Sequence, residues 1–200
     1  MSVAKLIFVD CEANGPSCST GRMTEFGAVE FESRLTFHGE GNGGEVFTKF
    51  KAWLEEVGGG QRLIFVSDNP AFDWQWINDG FHKHLWINPF GHSARRIGDF
   101  YAGLCGQWTA TGWKKLRITK HDHNPVNDAM GNVEAVERML KGEREMSSNT
   151  TMELWQLDRE RNKELAKAAL ASSTHERNEA LVRACEAAMG VVKLVRGEMK

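Results

Sequence analysis

The sequence predicts an α/β domain followed by a helical tail, and three observations carry that prediction. Leu6-Ile7-Phe8-Val9 and Leu63-Ile64-Phe65-Val66 are continuous apolar runs without helical spacing, the pattern of strands buried on both faces. Between them, Phe47, Phe50, Leu54 and Val57 recur at helical spacing. A buried strand, a helix and a second buried strand make a sheet with helices packed against it. From Glu143 the composition turns to Ala, Glu, Lys and Arg with no strand pattern, so residues 1–142 form the domain and residues 143–200 a helical extension.

The elements follow in order. The first strand ends on Asp10-Cys11-Glu12, and Ala13-Asn14-Gly15-Pro16-Ser17 is a turn by composition. Glu25 to Phe31 is a second strand and Leu35-Thr36-Phe37 a third, with Gly39 to Gly44 a flexible connection. Gly58-Gly59-Gly60 closes the helix that follows. After the Leu63 strand, Asn69-Pro70 reads as an N-cap with proline at the first helical position, opening a helix that runs to about His84. Residues 86–94 are loop-like, Ile97 to Leu104 is helical, and residues 106–122 show no pattern. Asn124-Pro125 opens another helix, with Val126, Ala129, Val133, Val136 and Leu140 on its buried face and Gly142 as its stop. Two S/T-x-x-E capping boxes, Thr150 to Glu153 and Ser173 to Glu176, start helices over about 151–171 and 174–196.

Composition narrows the function classes. A net charge of −2 rules out a globally basic nucleic-acid binder, so any such binding comes from a local patch or from metal ions. No apolar stretch approaches membrane-spanning length and no apolar leader is visible, so a cytoplasmic protein with no membrane partner is expected. Cys11, Cys18, Cys105 and Cys185 include no C-x-x-C pair, which indicates neither a zinc site nor a disulfide framework.

The chemistry lies in the acids. Residues at i and i+2 of a strand share a face, so Asp10 and Glu12 stand side by side where the first strand ends. Two carboxylates that close call for a hard divalent cation; alone, D-x-E is more often a solvated strand end. The pattern N-P-x-x-D occurs twice, Asn69 to Asp73 and Asn124 to Asp128, and puts each aspartate one turn into a helix. His123 then falls at N′ and Asp128 at N4, positions that meet in a hydrophobic staple. Asp73 follows a buried strand and reaches the sheet edge where ligands of open α/β folds collect. Asp10, Glu12, Asp73, Asp128 and His123 thus converge. Two cations among the acids would activate a water and stabilise a leaving oxygen, and the histidine would take the proton. His121 and Asp122 rival the last pair but lack its spacing, and Asp68 reads as a turn or capping residue.

With these three motifs in order, the chain resembles a DEDDh-type 3′-5′ exonuclease of the ribonuclease H-like fold: D-x-E at Asp10 and Glu12, N-x-x-F-D at Asn69 to Asp73, and H-x-x-x-x-D at His123 to Asp128. The likeness covers about residues 5–141. The segments Asp68–Asp73, Ser93–Leu104 and Pro125–Asn132 are similar to a bacterial and phage-borne exoribonuclease branch. The resemblance implies a mixed sheet flanked by helices, two Mg²⁺ or Mn²⁺ ions, and release of nucleoside 5′-monophosphates from the 3′ end of single-stranded RNA or DNA, RNA favoured. It implies that Asp10, Glu12 and Asp128 hold the catalytic metal, that Asp10 bridges to a second metal supported by Asp73, and that His123 is the general base. Ala13 and Asn14 occupy the place of a contact to the terminal nucleotide, without the family's Thr-Gly or Thr-Thr. Asn69, Phe72, Trp74, Arg95 and Arg96 complete the substrate-contact candidates, Trp74 by base stacking and the arginines by phosphate contact. For Trp76, Ile77 and Phe81 core packing is the better reading. The rival class is a nucleic-acid- or nucleotide-binding module that keeps the fold without turnover. The balanced charges of the helical tail do not suit a nucleic-acid arm, which leaves a tail that folds back on the domain or one that pairs with another chain.

Overall fold

The computed structural model describes residues 4–142, 149–171 and 173–195; for 149–156 and 191–195 it describes the backbone alone. The chain divides into two compact units, Met1–Glu145 and Met146–Lys200. The first is an α/β unit around a five-stranded mixed sheet in the order β3-β2-β1-β4-β5, consistent with a ribonuclease H-like fold. The strands are β1 (Lys5–Ala13), β2 (Met23–Glu30), β3 (Thr36–Glu40), β4 (Leu63–Ser67) and β5 (Ala94–Arg96). β1 pairs antiparallel with β2 and parallel with β4.

Both faces of the sheet are covered, as the unbroken apolar runs require. On one face Ile7, Val9 and Cys11 of β1 join Phe26, Phe65 and the inner residues of α1 (Gly44–Gly58) and α2 (Pro70–Leu85). On the other, Phe8, Val29 and Val66 pack against α3 (Ile97–Cys105), a 3-10 turn (Trp113–Leu116) and α4 (Pro125–Leu140). Alternation along β1 therefore sends Asp10 and Glu12 to the α4 face and Cys11 to the opposite one.

The structure corrects several expectations. β3 continues to Glu40, so Gly39 is in a strand and not in a connection. β5 is three residues long and carries exposed arginines, so it leaves no apolar signal. Asn69 makes no side-chain cap; Ser67 Oγ accepts from its backbone N–H instead, at 2.9 Å. Asn124 does cap α4, accepting from the N–H groups of Val126 and Asn127. On α4 Leu140 is exposed and Met139 is buried in its place, because the helix turns its last apolar position outward where it ends.

The second unit is a helical pair, α5 (Asn149–Leu170) and α6 (Thr174–Val195). The Ser173 capping box is formed: Ser173 Oγ accepts from Glu176 N at 3.2 Å, and Glu176 Oε2 accepts from Ser173 N at 3.3 Å. The Thr150–Glu153 box and residue 196 lie outside the described side chains and residues. Glu164 accepts from Arg183 across the pair at 2.9 Å. Among the described residues no helix is long and apolar enough to cross a membrane.

Candidate metal and catalytic site

Four elements deliver acids to one place. Asp10 and Glu12 come from the end of β1, Asp68 directly follows β4, Asp73 lies in the first turn of α2, and Asp128 in the first turn of α4. Carboxylate oxygens of Asp10, Glu12 and Asp128 lie within 4.8 Å of one another, and so do those of Asp10, Asp68 and Asp73. Asp10 belongs to both groups. The approach of α4 depends on Gly27, which pairs with Asp10 across the β1–β2 ladder. A Cβ at Gly27 would lie 2.3 Å from the carbonyl carbon of Pro125 and 2.4 Å from Val126 N. Only a bare backbone there lets the start of α4 rest on the sheet beside Asp10.

The acids are held unequally. Asp73 is buried, its Oδ1 accepting from Cys11 N at 3.0 Å and its Oδ2 from the Ser67 hydroxyl. Asp128 Oδ1 accepts from Asp122 N at 3.3 Å, whereas Oδ2 is buried with no hydrogen-bond partner. His121 Nδ1 lies 2.6 Å from that oxygen, close enough for an ion pair but without hydrogen-bonding geometry. Burial, then the charges of Asp73, Asp128, Asp68 and Glu12, push the Asp10 carboxyl up to about 9. Burial raises Asp73 to about 7 against the hydrogen bond from Ser67. A protonated Asp10 among crowded carboxylates and an orphaned buried oxygen are what a hard cation would relieve, and an all-oxygen donor set suits one.

The two histidines divide the acids between them. His123, exposed and with φ +62°, brings its Nδ1 to 3.6 Å from Glu12 Oε1. His121, not His123, is the ring against Asp128, and the ring centroids are 4.4 Å apart. Asp122 organises their loop, accepting from Asn124 N and from the Asn127 side chain.

The remaining candidates separate. Asn14 is tied to Arg22 by two hydrogen bonds, and Ala13 packs against the core. Asn69 is exposed at the mouth of α2. Phe72 stands edge-on to Trp76, and Trp74 edge-on to Phe65, both at the core margin. Trp76, Ile77 and Phe81 are buried. Arg95 and Arg96 are exposed on β5, and Arg96 bonds Asp99 and the Asp68 carbonyl.

Sequence reasoning missed three partners of the acids. Ser67 is the one polar residue ending the apolar β4 run, immediately before Asp68, and that position was its signal. Lys114 Nζ and Arg117 bind Asp68 Oδ2 at 2.9 and 3.5 Å. They lie in the unpatterned stretch after α3, where spacing carries no information about the sheet edge.

The strand ends gather carboxylates into two groups that share Asp10, and each group could hold a hard cation. No protein-family model matches the chain. It is similar to the 3′-5′ DNA exonuclease Cap18 of Escherichia coli, 33% identical over 92 residues, which cover 42% of this chain and 49% of that protein. The chain thus spans about half the length of the curated relative it matches.

Proposed function

We propose that the chain is a metal-dependent 3′-5′ exonuclease acting on single-stranded nucleic acid and releasing nucleoside 5′-monophosphates. The observation that carries the reading is Asp10 standing in both acid groups, where one carboxylate can serve two cations. The similarity to an exonuclease that by its name degrades DNA from the 3′ end supports it. The motif resemblance points to RNA and the relative's name to DNA, so both belong to the substrate range to be tested.

Asp10, Glu12 and Asp128 would hold one Mg²⁺ or Mn²⁺, and Asp10 with Asp73 and Asp68 the other. Bound there, the cations would lower the pKa of an attacking water and offset charge on the leaving oxygen. Ser67 and the Cys11 N–H fix Asp73 through both its oxygens, which favours water-mediated support of the second cation. His123, exposed beside Glu12, takes the proton of the attacking water. His121 orients Asp128. The helical pair, with Leu170, Val182 and Met189 exposed, would associate copies of the chain.

The test incubates 5′-labelled single-stranded RNA and DNA of one sequence with the protein in Mn²⁺ or EDTA. A metal-dependent ladder shortening from the 3′ end, absent in Asp128→Ala, is expected. His123→Ala should lower kcat by about 10²–10⁴-fold while the metal still raises Tm. An equal loss in His121→Ala with His123→Ala near normal would transfer the base role to His121. A folded, metal-binding protein that cuts neither strand would leave only the binding module.

A further inference from the structure

Beside the acids lies a pocket of opposite charge. A cavity of about 280 Å³ is lined by Lys114, Arg117, Thr119, Lys120 and His121. It touches both acid groups: Lys114 and Arg117 reach Asp68, and His121 reaches Asp128. We propose that this cavity binds a backbone phosphate of the strand whose 3′ end lies on the acids; the proposal rests on the exonuclease reading above.

The pocket is built, not a chance meeting of surface lysines. Its wall is fastened to α4, the helix that carries Asp128. Glu134 accepts from the backbone N–H groups of Ile118 and Thr119 and from the Thr119 hydroxyl. Gly131 admits this wall, since a Cβ there would lie 2.7 Å from the Thr119 carbonyl oxygen. Trp113 and Leu116 anchor the preceding turn in the core, and the Arg117 guanidinium stacks over Trp113 at 5.1 Å. The Arg117 side chain is 7% exposed and its Nε is buried with no hydrogen-bond partner, although its Nη2 donates to Asn132 and Asp68. Offsetting Asp68 alone would not call for Lys120, which is exposed and forms no ion pair among the described residues. A strand approaching carboxylates is repelled until cations arrive, and a fixed guanidinium with two lysines supplies the local attraction that a net charge of −2 lacks.

The experiment measures anisotropy of a labelled single-stranded DNA oligomer in Ca²⁺ across a salt series, with the full chain. Each phosphate contact contributes a slope of about 0.7 in log affinity against log salt. Lys120→Ala should therefore flatten the slope by about 0.7 and weaken binding about five-fold at roughly 0.1 M salt. Lys114→Ala added to it should weaken binding further while the slope stays flattened by about 0.7, since one phosphate is held. Lys49→Ala, on α1 across the sheet, removes the same charge as a control and should change neither. Both lysines of the pocket are exposed, so their variants should melt with the wild type. Unchanged slopes, or equal changes in Lys49→Ala, overturn the subsite. The same oligomer and an RNA of its sequence, both in Mn²⁺, separate the two readings. A wild-type ladder with unaltered variant binding overturns the subsite and leaves the exonuclease. Flattened slopes without a ladder support the subsite and overturn the exonuclease, and a wild type that neither binds nor cuts overturns both.

Discussion

At Asp10 the physics of the site is concentrated in one carboxyl. Its pKa of about 9, raised by burial and then by four neighbouring acids, means that the folded chain binds that proton more tightly than the unfolded chain does. Asp73, at about 7, behaves the same way over a narrower range. Wherever the folded state carries the extra proton, stability falls as pH rises, here from the ordinary aspartate value near 4 up to about 9. Glu30 does not compete in that window. Burial pushes it up, but hydrogen bonds from Ser33 and the Lys5 charge win and lower it, so its contribution is lost only as pH falls through the acid range. In EDTA, Tm should therefore be lower at about pH 8.5 than at about pH 6, and millimolar Mg²⁺ or Mn²⁺ should raise Tm more at the higher pH. Differential scanning fluorimetry checks both, and a metal-free Tm that climbs with pH would contradict the crowded-acid picture. Strand parity and helix-turn position brought Asp10, Glu12, Asp73 and Asp128 together in the sequence, but Asp68, read there as a turn or capping residue, joins Asp10 and Asp73. The histidine pairing was not legible. Spacing put His123 on Asp128, but the left-handed backbone at His123 carries its ring to Glu12 and leaves Asp128 to His121, and a single residue's φ leaves no trace in spacing.

At the scale of elements, the site is made by one helix landing on one strand. The start of α4 rests on Gly27, so Gly27→Ala forces Pro125 and Val126 off the sheet, away from Asp10. The expected cost is about 1–3 kcal/mol in urea unfolding, as for other overpacked contacts. The metal-induced rise in Tm should shrink with it, since Asp128 rides on the displaced turn. Gly103→Ala is the control: it sits in α3 with nothing within 4 Å of its added methyl, and should stabilise by up to about 1 kcal/mol. Equal metal responses in the two variants would mean that the α4 contact does not set the site. The strands and helices that build this contact were readable because burial on both faces writes apolar runs and burial on one face writes a helical period. β5 and the turn at Trp113–Leu116 were not: one is a three-residue edge with exposed arginines, and the other buries Trp113 and Leu116 from a segment with no period. The cationic wall of the site lies there, so the least patterned stretch hid the most informative charges.

At the scale of the whole molecule, the two units differ in what holds them. The α/β unit covers both faces of its own sheet, and α4 ends on Gly142 with φ +84°. The helical unit has a thin seam of small residues, with Ala168, Ala180 and Ala184 buried and Leu157 packed close to Gly190. Glu164 lies between Lys167 and Arg183 there. A helical unit of this size is marginal alone, whereas a unit with two filled cores is not so limited. A chain ending at Gly142 should therefore melt in one transition and keep the metal-induced rise in Tm. If the exposed Leu165, Leu170, Leu181, Val182 and Met189 serve self-association, the full chain should sediment as a larger particle per subunit than the shortened one. Equal subunit numbers in both would remove that role from the helices, and a shortened chain that no longer folds would show that the α/β unit needs them for stability instead.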